Sequence, residues 1–147
     1  TTKSRRAVKL NLPKLIRPIP LAEYAPEMEF QEDGKTPAIV YAWINPPAPL
    51  LARFDELRAS GAAALEKIKG AAPEAVAAAS GAFDEIAAGI HAVYAELWSQ
   101  QADQATHWTV QDVRALANNS ENPTLYSWLT GRTLQMIREH RSGLRKN

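Results

Sequence analysis

The chain has 147 residues, of which 46% are hydrophobic, and its formal net charge is +1 at pH 7. This length and composition predict one folded domain over residues 1–147, with a substantial core, and exclude a disordered chain. The balanced charge excludes a globally basic nucleic-acid-binding protein, and the lack of cysteine excludes disulfides and thiolate metal sites. No apolar run is long enough for a membrane span and the first residues resemble no signal peptide, so we expect a soluble cytoplasmic protein.

Residues 1–46 are expected to form a basic arm and a small β region. Six basic residues without an intervening acid precede five acidic residues without an intervening base: Lys3, Arg5, Arg6, Lys9, Lys14 and Arg17, then Glu23, Glu27, Glu29, Glu32 and Asp33. Two interpretations fit this pattern. The stretches are solvated segments that partly neutralise each other, or the first is an arm that docks on an acidic partner or a nucleic-acid backbone.

Two short strands are predicted in this β region. Residues 8–12 alternate apolar and polar side chains, and residues 38–44 are rich in β-branched and aromatic residues. Pro13, Pro18, Pro20 and Pro26 lie between the two predicted strands. Because proline lacks an N–H donor and has a fixed φ, we expect these prolines to break any regular element. A small sheet of two strands would have to pack against helices.

The middle of the chain, residues 47–101, predicts an antiparallel helical hairpin. Apolar residues recur at alternating intervals of three and four over residues 50–68 and again over residues 76–97, which is the pattern of one helix face. In residues 70–73, Gly70 is typical of the end of one helix and Pro73 of the first turn of the next. We expect the two apolar stripes to bury each other. The many alanines leave a thin core, which favours self-association, with another subunit completing the surface.

Residues 108–143 predict a pair of C-terminal helices. Thr109 and Asp112 have the spacing of a capping box at the start of the first helix. The second helix is expected to start at Pro123, because proline suits the first helical turn, and to end at Gly143, a typical C-cap residue. The predicted fold is therefore mainly α-helical, of the α+β class, with a hairpin, a helix pair and a small N-terminal β element.

The sequence contains no recognisable catalytic constellation, so we expect a protein that is not an enzyme and needs no cofactor or metal. The three histidines, His91, His107 and His140, lie on different predicted elements without a partner at ligand spacing. Adjacent acids such as Asp84 and Glu85 point in different directions on a helix, so they do not form an acid–base pair. The sequence also has no phosphate-binding glycine loop and no nucleophile motif.

A DNA-binding helix-turn-helix is an alternative interpretation of residues 112–129, in which two helices flank a short polar turn. The exposed face of the second helix reads bases in that motif. When the second helices are aligned, however, Arg114 and Ser120 both fall at positions where the motif has apolar residues. Arg132 is the only early cation on the second helix, whereas phosphate binding needs several. We therefore expect no sequence-specific DNA binding.

Short segments spread along the whole chain carry a family resemblance. They are VKLNLP at 8–13, IPLAEY at 19–24, WINPP at 43–47, HWT at 107–109 continuing to NPTLYSWL at 122–129, and IREHR at 137–141. In this order they resemble the tail assembly chaperones of long-tailed bacteriophages. The resemblance implies a non-enzymatic chaperone in the host cytoplasm that binds the tape-measure protein, helps to recruit tail-tube subunits and leaves before virion assembly is complete.

The surface that binds the partner is predicted from the large aromatic side chains of the C-terminal region. The predicted binding residues are Trp108, Tyr126, Trp128 and Arg132, and Trp98 is a further aromatic candidate for this surface. The alternative interpretation is that any one of these aromatic side chains is an ordinary core residue. An alanine-rich core that cannot close fully by itself also favours an extended helical partner. Two alternatives stay open, namely a structural virion protein, such as a minor tail or capsid-associated component, and the helix-turn-helix protein described above.

Overall fold

The computed structural model describes residues 13–100 and 107–146. In chain order the elements are strand β1 (Ile16–Pro20), two short 3₁₀ helices (Leu21–Glu23 and Pro26–Met28), strand β2 (Ile39–Trp43), and helices α1 (Ala48–Ile68), α2 (Pro73–Trp98), α3 (Val110–Ala117) and α4 (Leu125–Lys146). Within these residues the protein is mainly α-helical, with four α-helices and a small two-stranded antiparallel sheet near the N-terminus. The predicted fold class is confirmed.

The sheet pairs β1 with β2 in antiparallel register, with Ile19 opposite Val40. Strand β2 confirms the strand predicted at residues 38–44. Strand β1 lies among the prolines, where no regular element was expected, so that part of the prediction is wrong. The other predicted strand, residues 8–12, lies outside the described residues.

Pro18 and Pro20 fit in β1 because they occupy positions whose missing N–H groups would point away from β2. The Leu21 N–H donates to the Ala38 carbonyl at 2.9 Å, which marks a hydrogen-bonded pair in this register. Such pairs alternate along an antiparallel ladder, so both prolines fall at the positions in between. They cost the ladder no hydrogen bond, and they make the outer edge of β1 unsuitable for pairing with another strand.

Helices α1 and α2 form the predicted antiparallel hairpin. Gly70, in the connection, has a φ of +75°, which glycine adopts without steric cost. The helices approach closely where each carries a glycine. A β-carbon added at Gly61 would lie 3.6 Å from Ile86 Cγ2, and one added at Gly89 would lie 2.9 Å from Leu57 Cδ2.

The distal half of the hairpin, residues 59–89, is only partly covered, which corrects the expectation that the two stripes bury each other. None of these residues is buried, and Leu65 and Val76 are 61% and 42% exposed. Even Ile86, which faces Gly61 of α1, is only partly buried, and so is Phe83. Two helices with short alanine side chains cannot enclose a core without a third layer, and within residues 13–100 and 107–146 no other element forms one over this half of the hairpin.

The hydrophobic core lies at the opposite end of the hairpin, where α1 and α2 meet β2, α3 and α4. Its main buried side chains are Ile19, Val40, Ala42, Ile44, Leu50, Phe54, Val93, Tyr94, Leu97, Trp98, Val113, Leu129 and Ile137. Trp98 is 0% exposed, so for this residue the core interpretation is correct. Its Nε1–H donates to Thr133 Oγ1 at 3.1 Å, and the Thr133 hydroxyl donates to the Leu129 carbonyl at 2.8 Å. A satisfied polar pair therefore joins α2 to α4 inside the core.

The C-terminal helices differ from the prediction at their ends. Helix α3 has the predicted capping box, in which the Asp112 N–H donates to Thr109 Oγ1 and the Thr109 N–H donates to Asp112 Oδ2. Helix α4 begins at Leu125 rather than Pro123 and continues to Lys146, so the predicted end at Gly143 is wrong. Gly143 does not have the positive φ that a C-cap glycine adopts.

Replacing Thr133 by valine should destabilise the protein by about 1–3 kcal/mol, because the buried indole N–H of Trp98 would lose its acceptor. Urea denaturation followed by tryptophan fluorescence measures this loss. In a double-mutant cycle with Trp98→Phe, the losses of unfolding free energy in the two single variants should not add, because either substitution removes the same hydrogen bond. An additive cycle would contradict the assigned role of this hydrogen bond.

Shortening an apolar side chain of the hairpin should lower the free energy of unfolding much more at the core end than at the distal end. Leu97 is 1% exposed, and Leu97→Ala should lower the free energy of unfolding by about 2–5 kcal/mol. Ile86→Ala should cost clearly less, because Ile86 is already partly in contact with water. Chemical denaturation of the two variants tests the difference, and equal losses would mean that the distal stripe is buried.

Candidate functional site

An apolar groove of about 510 Å³ lies between the β region, α3 and the first turns of α4. Its apolar lining consists of Leu21, Ala38, Ile39, Val40, Trp108, Ala115, Leu116, Leu125 and Leu129, and its polar lining consists of Gln31, His107, Asp112 and Asn119. We call this surface the Trp108 groove. Its size and mainly apolar lining are typical of a binding site for apolar side chains.

Each wall of the Trp108 groove follows from local structure. On α3, Asp112, Ala115 and Leu116 are three or four residues apart or adjacent, so they share one helix face, and Asn119 follows the end of this helix. Leu125 and Leu129 are one turn apart on α4 and are buried beneath the groove. The groove is therefore lined by regular elements whose relative positions are fixed by the core.

Asp112 places one negative charge at the rim of the groove. Its carboxylate accepts hydrogen bonds from the backbone N–H and the hydroxyl of Thr109, and these bonds hold the pKa of Asp112 below its usual value. The carboxylate is thus ionised at neutral pH. An apolar ligand with a basic group beside its apolar face would match this arrangement.

Trp108 is the predicted binding residue that lines the groove. Its backbone N–H donates to Ser99 Oγ at 2.9 Å, and its ring packs edge-on against the ring of Trp98 with 5.1 Å between the ring centroids. The side chain is partly buried and held in place. Rigid aromatic side chains of this kind are common anchors in interfaces.

Trp128 and Arg132 lie on a different face and contact the first 3₁₀ helix. The Trp128 ring packs against Tyr24 with 5.5 Å between centroids, and the Tyr24 hydroxyl is hydrogen-bonded to Thr124. Arg132 Nε lies 3.7 Å from Glu23 Oε2. These contacts attach the N-terminal β region to α4, and they occupy surfaces that were predicted to meet a partner.

Tyr126 belongs to a third environment, an aromatic cluster with His91 and Tyr94. Its ring centroid lies 5.8 Å from that of His91 and 6.2 Å from that of Tyr94, both in edge-on geometry. Burial raises the pKa of Tyr94 and of Tyr126. The four predicted binding residues therefore do not form one surface, and their role in binding stays a prediction.

The β-region wall of the groove was missed by sequence reasoning. Residues 38–44 are apolar throughout, so the sequence does not show which of them face the groove, and Leu21 follows a strand that was not predicted. The groove forms only because this wall lies opposite α3. The sequence of neither segment predicts that the two face each other, since local patterns describe one element at a time.

The helix-turn-helix interpretation receives no support from the geometry of α3 and α4. The connection between these helices, residues 118–124, is about twice the three or four residues of that motif. Arg132, the early cation of the second helix, is paired with Glu23. Among the described residues, no group of three or more histidine, aspartate or glutamate side chains is placed to hold a metal ion.

No family model, curated protein or solved structure matches this chain. The resemblance to tail assembly chaperones thus depends on the segments quoted above. In the part of the chain that the structure describes, none of the helices has both the length and the hydropathy for a membrane span.

His91 should make the stability of the protein sensitive to mild acid. Burial, and then the nearby Arg114 charge, lower the pKa of His91 below 6.5. The unfolded chain therefore binds this proton more readily. The stability gained by keeping His91 neutral is complete above pH 6.5 and is lost as the pH falls through the lower pKa of the folded state.

We therefore expect the Tm to fall between about pH 7.5 and about pH 5, and His91→Phe to reduce this fall. Phenylalanine preserves an aromatic contact with Tyr126 but cannot be protonated. Thermal denaturation at a series of pH values measures the effect. The same pH slope in His91→Phe as in the wild type would show that another group is responsible.

Proposed function

We propose that this protein is a non-enzymatic tail assembly chaperone of a long-tailed bacteriophage. In this proposal it works in the host cytoplasm, binds the tape-measure protein and helps to recruit tail-tube subunits. The proposed binding function is supported by the Trp108 groove, an apolar surface between the β region, α3 and the first turns of α4. The phage assignment depends on the family-like segments.

The shape and chemistry of the groove favour an amphipathic helix as the bound element. A helix binds in an apolar groove by inserting side chains three and four residues apart, and a volume of about 510 Å³ accommodates several of them. Asn119 and Gln31 offer hydrogen-bonding groups at the edges, and Asp112 favours a basic residue on the partner. A long helical protein such as a tape measure would provide such a stripe.

The contacts among the family-like segments also support the proposal. Tyr24 in the segment 19–24 packs against Trp128 in the segment 122–129, although they are about a hundred residues apart in the chain. Asn45, in the segment 43–47, donates a hydrogen bond from its side-chain amide to the carbonyl of Pro13, the last residue of the segment 8–13, at 3.1 Å. Segments that stabilise one another in the fold are those that a family sharing this architecture would have in common.

The groove can be tested by placing an arginine at its rim. Ala115 lines the groove and is exposed, so Ala115→Arg should leave the fold intact while its long side chain extends across the apolar surface. Recovery of the tape-measure protein in a pull-down after co-expression should fall at least about tenfold. The matched control is Ala88→Arg, the same substitution at an exposed position on the distal hairpin, which should leave recovery unchanged.

The other outcomes separate the function from its location. If the wild-type protein forms no complex with the tape-measure protein, that protein is not its partner. Loss of binding in Ala88→Arg but not in Ala115→Arg, with both variants folded by circular dichroism, would move the binding site from the groove to the hairpin. Detection of the protein in purified virions would favour the alternative of a structural virion protein.

A further inference from the structure

A second surface, on the opposite side of α4 from the β region, combines basic side chains with an apolar floor. It is a cleft of about 190 Å³ between α1 and α4. Its floor consists of Leu51, Phe54, Leu134 and Ile137. Arg58, Arg138 and Arg141 stand around it and are exposed, and the Arg58 guanidinium lies 5.5 Å from the centre of the Phe54 ring. We call this surface the arginine cleft.

The positive charge of the arginine cleft is not balanced by a contact in the described parts of the chain. Among the side chains that the structure describes, in residues 13–100 and 107–144, the Arg132–Glu23 contact is the only ion pair, and it does not involve the cleft. Asp55 is the one acidic residue in the lining, and it is more than 4.0 Å from each guanidinium. Three like charges around one small cleft repel one another, so an anionic group placed there would be favoured.

The same chain carries a segment with the complementary chemistry. Phe30 is 46% exposed although it is a large hydrophobic residue, and Glu29 and Glu32, on either side of it, are exposed as well. We call residues 29–32 the acidic loop. A phenylalanine between two carboxylates matches an apolar floor surrounded by arginines, and a cleft of about 190 Å³ is large enough for its ring.

The acidic loop is held in a defined conformation, which reduces the entropy lost on binding. The Gln31 N–H donates to the Thr36 carbonyl at 2.8 Å, and the Ala38 N–H donates to the Glu29 carbonyl at 2.9 Å. The loop does not contribute to the cleft of its own molecule, whose lining comes only from α1 and α4. The two surfaces can therefore meet only between two molecules.

We propose that the acidic loop of one molecule docks in the arginine cleft of a second copy of the chain. Phe30 inserts against the apolar floor while Glu29 and Glu32 approach the arginines. Because the two surfaces differ, the contact is heterologous, and it leaves one free loop and one free cleft at the ends of each pair. The expected assembly is a head-to-tail chain or a closed ring. This inference does not depend on which partner occupies the Trp108 groove.

Two charge-reversed proteins test the contact. Arg138→Glu with Arg141→Glu makes the cleft acidic, and Glu29→Arg with Glu32→Arg makes the loop basic. Sedimentation at low salt, from about 10 µM to about 1 mM, should show concentration-dependent association of the wild type and at least about tenfold weaker association of each variant alone. An equimolar mixture of the two variants should associate again, because each loop then meets a cleft of opposite charge.

Phe30→Ala should weaken association of the wild type, whereas Asp84→Arg with Glu85→Arg, a matched reversal on the distal hairpin, should not. A monomeric wild type, or a mixture of the two reversed proteins that stays monomeric, would overturn the proposal. Loss of association only in the hairpin variant would overturn it in favour of contacts between hairpins. The wild type could instead stay monomeric and bind an acidic peptide or DNA through the arginine cleft. That result would overturn the proposal and show that the cleft binds a different molecule.

Discussion

The buried indole of Trp98 holds the parts of this fold in their relative positions. It ends α2, and its N–H is satisfied by Thr133 of α4. Its ring packs against Tyr94 of the same helix and against Trp108 at the entrance to α3. A buried N–H without an acceptor is costly, so α4 is constrained to place Thr133 at this point. That constraint also puts Leu129, one turn earlier on α4, under the Trp108 groove.

The hairpin is a helical pair with two different ends. At the core end, three further elements cover its apolar stripe and fix the groove beside it. At the distal end no other part of the described chain covers the two helices, and alanine provides intrinsic helix propensity in place of buried area. We expect the distal half to open with a lower free energy than the core end. An exposed pair of alanine-rich helices is also a surface that a second molecule can cover without displacing anything.

The molecule presents two binding surfaces with different chemistry. The Trp108 groove is lined by the β region, α3 and the start of α4, and its rim carries the Asp112 carboxylate. The arginine cleft is lined by α1 and the later turns of α4, and its rim is basic. The two surfaces use different turns of α4 and share no lining residue. A protein that binds an elongated helical partner and also contacts its own copies would use this separation.

The sequence by itself determined the features that depend on neighbouring residues. Spacings of three and four defined α1 and α2, β-branched and aromatic residues defined β2, and the Thr109–Asp112 pair defined the start of α3, since each pattern acts within one or two turns or one strand. The tertiary structure decided the rest. Pro18 became acceptable in a strand only through its register with β2, and Trp98 and Trp108 were separated into core and groove by the elements packed around them. Burial and register depend on which distant surfaces meet, and no local pattern specifies that.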